Sequence, residues 1–263
     1  MKALPKKEIE LPGEAQLRRA TLNGILHGTR LDMLFERPTK CVARLHLETG
    51  SSVIVKLWAR PGLRGILRRM THTGNLHREW WALTKLHHCG IPVPAPLLKL
   101  RFQERPRGYT EGMLCEDLGE CQRANLRLEQ LVAAGESTAA FDREIVEMTG
   151  AVLAAGIMDV DNHLNNFVYL ENGSLARIDL ELARRPWAVN TPQELGELLG
   201  AMICTYLLSV QPHTELADSF CDMLLAEVKP SAKVRQLTSE VVTRKLETQR
   251  RAISIDTRWG RSW

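Results

Sequence analysis

Asp161, His163 and Asn166 stand close together in the stretch 156 to 181, GIMDVDNHLNNFVYLENGSLARIDLE, and Asp179 follows near its end. Transfer of a phosphoryl group to a hydroxyl needs an acceptor for the hydroxyl proton, and oxygen ligands that hold Mg2+ against the ATP phosphates. Asp161 has the chemistry for the first task, and Asn166 with Asp179 for the second. Asp159 competes for the role of base. The residue five positions after it is Leu164, which offers no metal ligand, whereas the residue five after Asp161 is Asn166. An ordinary polar turn uses the same residue types for local backbone reasons, so these residues acquire meaning only from the elements around them.

Those elements read as a β-hairpin. An apolar run from Phe167 to Leu170 is followed by a turn at Asn172-Gly173 and a return through Leu175 to Ile178. Asn166 lies five residues after Asp161, as in the protein-kinase pattern H-R-D-L-x-x-x-N, and Asp179 lies eighteen after it (179 − 161), where the D-F-G aspartate would stand. The D-x-H-x-x-N form resembles the small-molecule kinases related to aminoglycoside phosphotransferases.

Upstream, Lys40 to Leu47 and Ser52 to Trp58 flank a Glu48-Thr49-Gly50-Ser51 turn and read as an antiparallel pair, after a helix around Glu14 to Leu26. Lys56 sits in VIVKLW, similar to the V-A-I-K strand whose lysine neutralises ATP phosphates. A helix from about Leu76 to His88, ended by Gly90 and Pro92, takes Trp80, Trp81, Leu83 and Leu86 as its apolar face. It carries Glu79, and in the kinase arrangement that it resembles a glutamate of this helix orients the strand lysine, here Lys56. Leu97 to Phe102 and Gly108 to Leu114 read as two more strands, leading into CEDLG. This is where a kinase connects its lobes and holds adenine with backbone groups, so the resemblance makes Cys115 to Gly119 the expected hinge, with Glu116 and Leu118 about the adenine. Phe141 to Ala155, Pro192 to Val210, Glu215 to Glu227 and Ala232 to Arg251 have helical spacing.

The 263 residues, 44% hydrophobic and 25% charged, suit a globular protein of one large domain or two lobes. The six scattered cysteines contain no C-x-x-C pair and read as reduced core thiols of a cytosolic protein. MKALPKKEIELPGE lacks the apolar core of a signal peptide. The longest apolar stretch, Leu195 to Val210, has 16 residues and contains Glu197, short of the ~20 of a membrane span. With a net charge of only +4, an anionic partner has to be argued from where the charge sits.

Lys56, the block GNLHREWWALTKLHHCGIPVP, CEDLG, DNHLNN and RIDLELAR occur in the order and approximate spacing of the lipopolysaccharide core kinases of Gram-negative bacteria, the Kdo and heptose kinase family. The resemblance covers roughly residues 40 to 185. It implies an α+β, protein-kinase-like fold: a small β-rich N-terminal lobe over residues 1–114, a hinge at 115–119, and a larger, mainly helical C-terminal lobe over 120–263. It also implies a cytoplasmic enzyme using ATP and Mg2+ to phosphorylate a sugar hydroxyl of a lipid-linked core oligosaccharide at the inner membrane. Carried over residue by residue, Asp161 is the catalytic base, Asn166 and Asp179 are metal ligands, and Lys56, Glu79, Glu116 and Leu118 serve the nucleotide.

Departures from the pattern set further expectations. No glycine-rich loop precedes Lys56, so FERPTKCVAR is the candidate phosphate cover and Lys40 the candidate contact. Asp159 and Val160 stand where histidine and arginine usually precede the base, so control by a phosphorylated activation loop is not expected. Glu181 either assists the metal or caps local structure. Only twelve residues, 180 to 191, separate Asp179 from the next helix, leaving little platform for a peptide. A small or glycan hydroxyl is favoured over an atypical protein kinase's substrate; a catalytically silent kinase-fold scaffold is the reading from another class.

Leu63, Ile66, Leu67 and Met70 lie at helical spacing among Arg60, Arg64, Arg68 and Arg69, a pattern suited to an interfacial helix on anionic lipid. Gly62 and Gly65 weaken that helix in isolation. Residues 229 to 263 hold nine Lys/Arg against three acids, 9 − 3 = +6, and include Trp259 and Trp263. Peripheral contact with anionic membrane is the expectation, with nucleic acid the less favoured partner.

Overall fold

The computed structural model describes residues 13–28, 30–59, 74–102, 106–184 and 192–258, with side chains described up to residue 248. The basic segment with Arg60, Arg64, Arg68 and Arg69, and the terminal Trp259 and Trp263, lie outside the described residues. The chain divides into two compact units, one taking the described residues up to Glu120 together with Asp179–Glu181, the other Cys121–Ile178 and the residues from Leu182 on.

The first unit opens with α1 (Glu14–His27), whose end is closed by Gly28 in the left-handed region, its amide donating to the Gly24 carbonyl at 2.8 Å. Then come β1 (Leu31–Arg37), β2 (Lys40–His46), β3 (Ser52–Trp58), α2 (Asn75–His88), β4 (Pro96–Arg101) and β5 (Glu111–Glu116). The five strands form an antiparallel sheet in the order β1-β2-β3-β5-β4. Strict alternation in β2 and β3 buries Cys41, Ala43, Leu45, Val53, Val55 and Leu57, which join Leu17 and Ile25 of α1 in one core. The opposite face of the same two strands carries Lys40, Val42 and Arg44 beside Ser52, Ile54 and Lys56, with Val42 directly across from Lys56. The period of two thus places three charged side chains on the face that the apolar core does not occupy.

Two strands differ from expectation. β1 is an additional edge strand, so FERPTKCVAR is the end of β1, the turn Pro38–Thr39 and the start of β2. β5 begins at Glu111 and runs through Cys115 and Glu116, so the CEDLG stretch starts inside the sheet. The α2 helix also rolls differently: Leu76, Glu79, Ala82, Leu83 and Leu86 are buried, while Trp80 and Trp81 are only half-buried. It ends as expected at Gly90, where the Ile91 amide reaches back to the Leu86 carbonyl at 3.0 Å.

The second unit holds β6 (Cys121–Arg123), α3 (Ala124–Ala133), α4 (Ala139–Ala154), β7 (Met158–Asp159), a single 3-10 turn at Leu164–Asn166, β8 (Phe167–Leu170), β9 (Leu175–Arg177), β10 (Ala183–Arg184), α5 (Pro192–Ser209), α6 (Glu215–Val228) and α7 (Ala232–Arg258). β8 and β9 are the expected hairpin, turned at Gly173 with φ 76°, and β6 extends it to three strands. Asp142 of α4 is buried against α5 and accepts hydrogen bonds from Tyr206 at 2.7 Å and Thr138 at 2.8 Å; burial pushes its carboxyl up. Tyr206 in turn stacks on Phe220 of α6 at 4.0 Å.

α5 and α7 approach closely because Gly196 and Gly200, one turn apart, leave room for Leu237, Thr238 and Val241. The first half of the basic tail is therefore a helix docked through buried Val234, Thr238 and Val241, with Arg244 paired to Glu197 at 2.5 Å. A Cβ added at Gly200 would fall 2.5 Å from Val241 Cγ1 and 2.7 Å from Val241 Cβ. Gly200→Ala is expected to lower unfolding free energy by about 1–3 kcal/mol through overpacking, seen as an earlier denaturant midpoint, and Val241→Ala in the same chain to recover part of it. An unchanged midpoint for Gly200→Ala contradicts this packing.

None of the six cysteines forms a disulfide. Cys41, Cys115 and Cys204 are buried as expected for core thiols, whereas Cys89, just past the end of α2, and Cys121, on the outer strand β6, are exposed. Among the described residues no helix is long and apolar enough to cross a membrane.

Candidate active site

The first unit gathers Lys40, Lys56, Glu79, Asp179 and Glu181. Lys56 projects from β3 into an ion pair with Glu79 of α2, whose side chain is 0% exposed. Lys56 Nζ also lies 4.0 Å from Asp179 Oδ1, and Lys40 Nζ lies 3.5 Å from Asp179 Oδ2 while pairing with Glu181. Asn75 donates to Glu181 Oε2 at 2.9 Å. Asp179 has φ 53°, a left-handed conformation that Asp tolerates better than most non-glycine residues and that marks a locally constrained backbone. One oxygen from each of Glu79, Asp179 and Glu181 falls within 4.8 Å of the others, an arrangement of hard oxygen donors suited to a divalent cation. Glu79 Oε2 is buried with no hydrogen-bond partner.

The electrostatics follow from this crowding. Burial alone lowers the Lys56 ammonium, but Glu79 and then Asp179 outweigh it and its pKa is raised, so Lys56 remains a cation. Burial pushes Glu79 up to about 7; Lys56 pulls it back, and the neighbouring carboxylates Asp179 and Glu181 add to the rise. A carboxylate raised on folding holds an extra proton between its ordinary value of 4.5 and about 7, so its contribution to stability falls as pH rises through that window. Wild-type thermal midpoints are expected to decline between pH 5 and about 7 more steeply than those of Glu79→Gln. Parallel curves contradict the placement of Glu79 in this cluster.

In the second unit, Asp159 and Asp161 have opposite surroundings. Asp159 is buried and ion-paired with Arg177 of β9, and it accepts the Asp161 amide at 3.1 Å. Arg177 is itself 1% exposed and lies 4.6 Å from the Phe167 ring centre. Asp161 leaves nearly half of its side chain exposed, with His163 Nε2 at 3.4 Å from Oδ1. Its carboxyl is held below the usual carboxylate range, chiefly by the contact with His163 working against burial. Asn166 donates through Nδ2 to the Asp161 carbonyl at 2.8 Å, which turns its amide oxygen, a metal-ligand type, away from that contact. The Leu164 amide donates a hydrogen bond to Thr205 Oγ1 of α5 at 3.2 Å, and the Ile178 amide donates to the Asn166 carbonyl at 2.8 Å.

No family model and no curated protein matches the sequence. A solved structure of WaaP in complex with acyl carrier protein matches with a TM-score of 0.52 at 15% identity, over 84% of this chain and 95% of that one. The chain has a protein-kinase-like fold. At that identity the likeness is one of architecture: a small antiparallel sheet region followed by a helical region.

Of the residues expected from the sequence, the first unit brings together Lys40, Lys56, Glu79 and Asp179, and the second brings together Asp161 and Asn166. Glu116 donates its amide to the Ala95 carbonyl at 2.9 Å and accepts the Ala95 amide at 3.1 Å through Oε2; Leu118 follows, half-buried. Three residues escaped the sequence reading. Asp117 pins the segment after β5 by accepting from Arg44 and Ser52, each at 2.6 Å, and from the Gly119 amide at 3.0 Å. Arg177 and Asn75 give no local signal, since each acquires its meaning from a partner far along the chain.

Proposed function

We propose that this protein is an ATP-dependent phosphotransferase that phosphorylates a sugar hydroxyl, heptose or Kdo, of the lipopolysaccharide inner core. The observation that carries the proposal is the buried Lys56–Glu79 ion pair beside Asp179. A cation oriented in this way neutralises phosphate charge, and the coupled lysine and glutamate are the ion pair that kinase catalysis requires.

In this reading Asp161, exposed and ionised, accepts the proton of the acceptor hydroxyl as its oxygen attacks the γ-phosphorus and the bond to ADP breaks. Lys56 and Lys40 hold the phosphates, Glu79 orients Lys56, and backbone groups about Glu116 and Leu118 hold adenine. Asn166 and Asp179 would hold Mg2+, which supplies charge neutralisation on the transferring group. The ion pair of Asp159 with Arg177 supports Asp161 over Asp159 as the base. The twelve residues between Asp179 and α5 support a glycan acceptor over a peptide. Mixing the protein with Mg-ATP and truncated core acceptors, then locating the new phosphate by mass spectrometry, tests the assignment; transfer to proteins alone favours an atypical protein kinase.

A lipid-linked acceptor also calls for membrane contact on the cytoplasmic face, for which Arg60, Arg64, Arg68, Arg69 and the basic tail are the proposed surface. Salt-sensitive co-sedimentation with phosphatidylglycerol vesicles, reduced when Arg64, Arg68 and Arg69 become Glu, supports it. Equal binding to neutral vesicles contradicts it.

A further inference from the structure

Asp179 is flanked by two lysines, and each lysine has its own glutamate. Lys56 pairs with Glu79 and approaches Oδ1, while Lys40 pairs with Glu181 and approaches Oδ2. The two arms start on one face of the sheet, Lys40 on β2 and Lys56 on β3. Both glutamates are tied to α2, Glu79 as part of it and Glu181 through Asn75, four residues earlier in the same helix. Lys40 is the first residue after the Pro38–Thr39 turn, with its ammonium 5.9 Å from the Phe35 ring centre.

A lone lysine after a turn is a poor phosphate ligand, because its long stem loses rotamer freedom on binding. Here the stem is already held: the side chain is only 18% exposed, and its charge is engaged by Glu181, 14% exposed. Glu181 Oε2 is taken by Asn75, so one carboxylate joins the β1–β2 turn to α2. We infer that Glu181 is a positioning residue for Lys40, holding that ammonium ready for nucleotide phosphate as Glu79 holds Lys56, and that this second lysine–glutamate pair replaces the missing glycine-rich loop. The inference rests on the nucleotide-binding reading proposed above.

Calorimetric titration with a non-hydrolysable ATP analogue and Mg2+ tests it. Glu181→Gln and Lys40→Met are each expected to weaken binding about 10-fold, the scale of one hydrogen-bonded charge. Because Glu181 acts through Lys40, the double variant binds no more weakly than Lys40→Met alone, whereas Glu79→Gln adds its own loss to Lys40→Met. Lys40→Arg, which keeps the charge and the partner, retains most of the affinity. Thermal midpoints of the variants are measured alongside, and binding loss that tracks loss of fold overturns the inference. Additive losses for Lys40 and Glu181 overturn it as well, as does recovery of Glu181→Gln at raised Mg2+, which makes Glu181 a metal ligand. Failure of the wild type to bind the analogue is a separate result that removes the nucleotide reading itself.

Discussion

Asp161→Asn is expected to lower turnover by about 10²-fold to 10⁴-fold, the scale of a positioned acid–base group, and to leave nucleotide binding largely intact. The amide keeps the shape of the carboxylate and its neighbours His163 and Asn166, but it cannot take up the hydroxyl proton. Asp159 provides the contrast. Its carboxylate compensates Arg177 in a site where both side chains are 2% exposed or less. Removing one partner of a buried pair costs about 3–5 kcal/mol, so Asp159→Asn is expected to act on stability. Turnover per folded molecule separates the two variants. Full activity in Asp161→Asn, or a larger per-molecule loss in well-folded Asp159→Asn, overturns the assignment of the base.

Asp179→Asn is expected to abolish Mg-dependent nucleotide binding together with turnover, because it removes a charged oxygen ligand. Asn is the right replacement: at φ 53° it tolerates the left-handed conformation nearly as well as Asp, so lost function is not confounded with backbone strain. It also leaves Lys40 and Lys56 with Glu181 and Glu79 as their partners. Nucleotide binding that keeps its Mg2+ dependence in Asp179→Asn contradicts the role given to this residue.

The sequence made the local features of the fold legible and hid those that depend on distant partners. The hairpin at Asn172-Gly173, the alternation in β2 and β3, and the Gly90 helix end each arise from backbone preferences of a few adjacent residues, and each stands where expected. β1 was missed because its apolar residues Met33, Leu34 and Phe35 are exposed and its register shifts between Met33 and Phe35, so no clean alternation exists to read. Glu79 follows from the kinase arrangement and not from the helix pattern: a glutamate on the buried face of α2 breaks the apolar periodicity, which on sequence grounds alone half-buried Trp80 and Trp81 supply. The competition between Asp159 and Asp161 was argued from metal-ligand spacing, while the structural contrast is the buried Arg177, eighteen residues from Asp159. Gly196 and Gly200 read only as weak helix formers; their use is the close approach of α7, which no local pattern encodes.

Lys56→Met is the most direct test of the central claim, that the buried lysine–glutamate pair serves ATP-dependent transfer. The substitution leaves the buried Glu79 without its cation, so rates are compared per folded molecule, with the folded fraction read by circular dichroism. Phosphate transfer from Mg-ATP to a truncated core acceptor, followed side by side in wild type and Lys56→Met, is expected to proceed in the first and nearly vanish in the second. Equal rates in the two proteins would return Lys56 to an ordinary strand lysine and contradict the account.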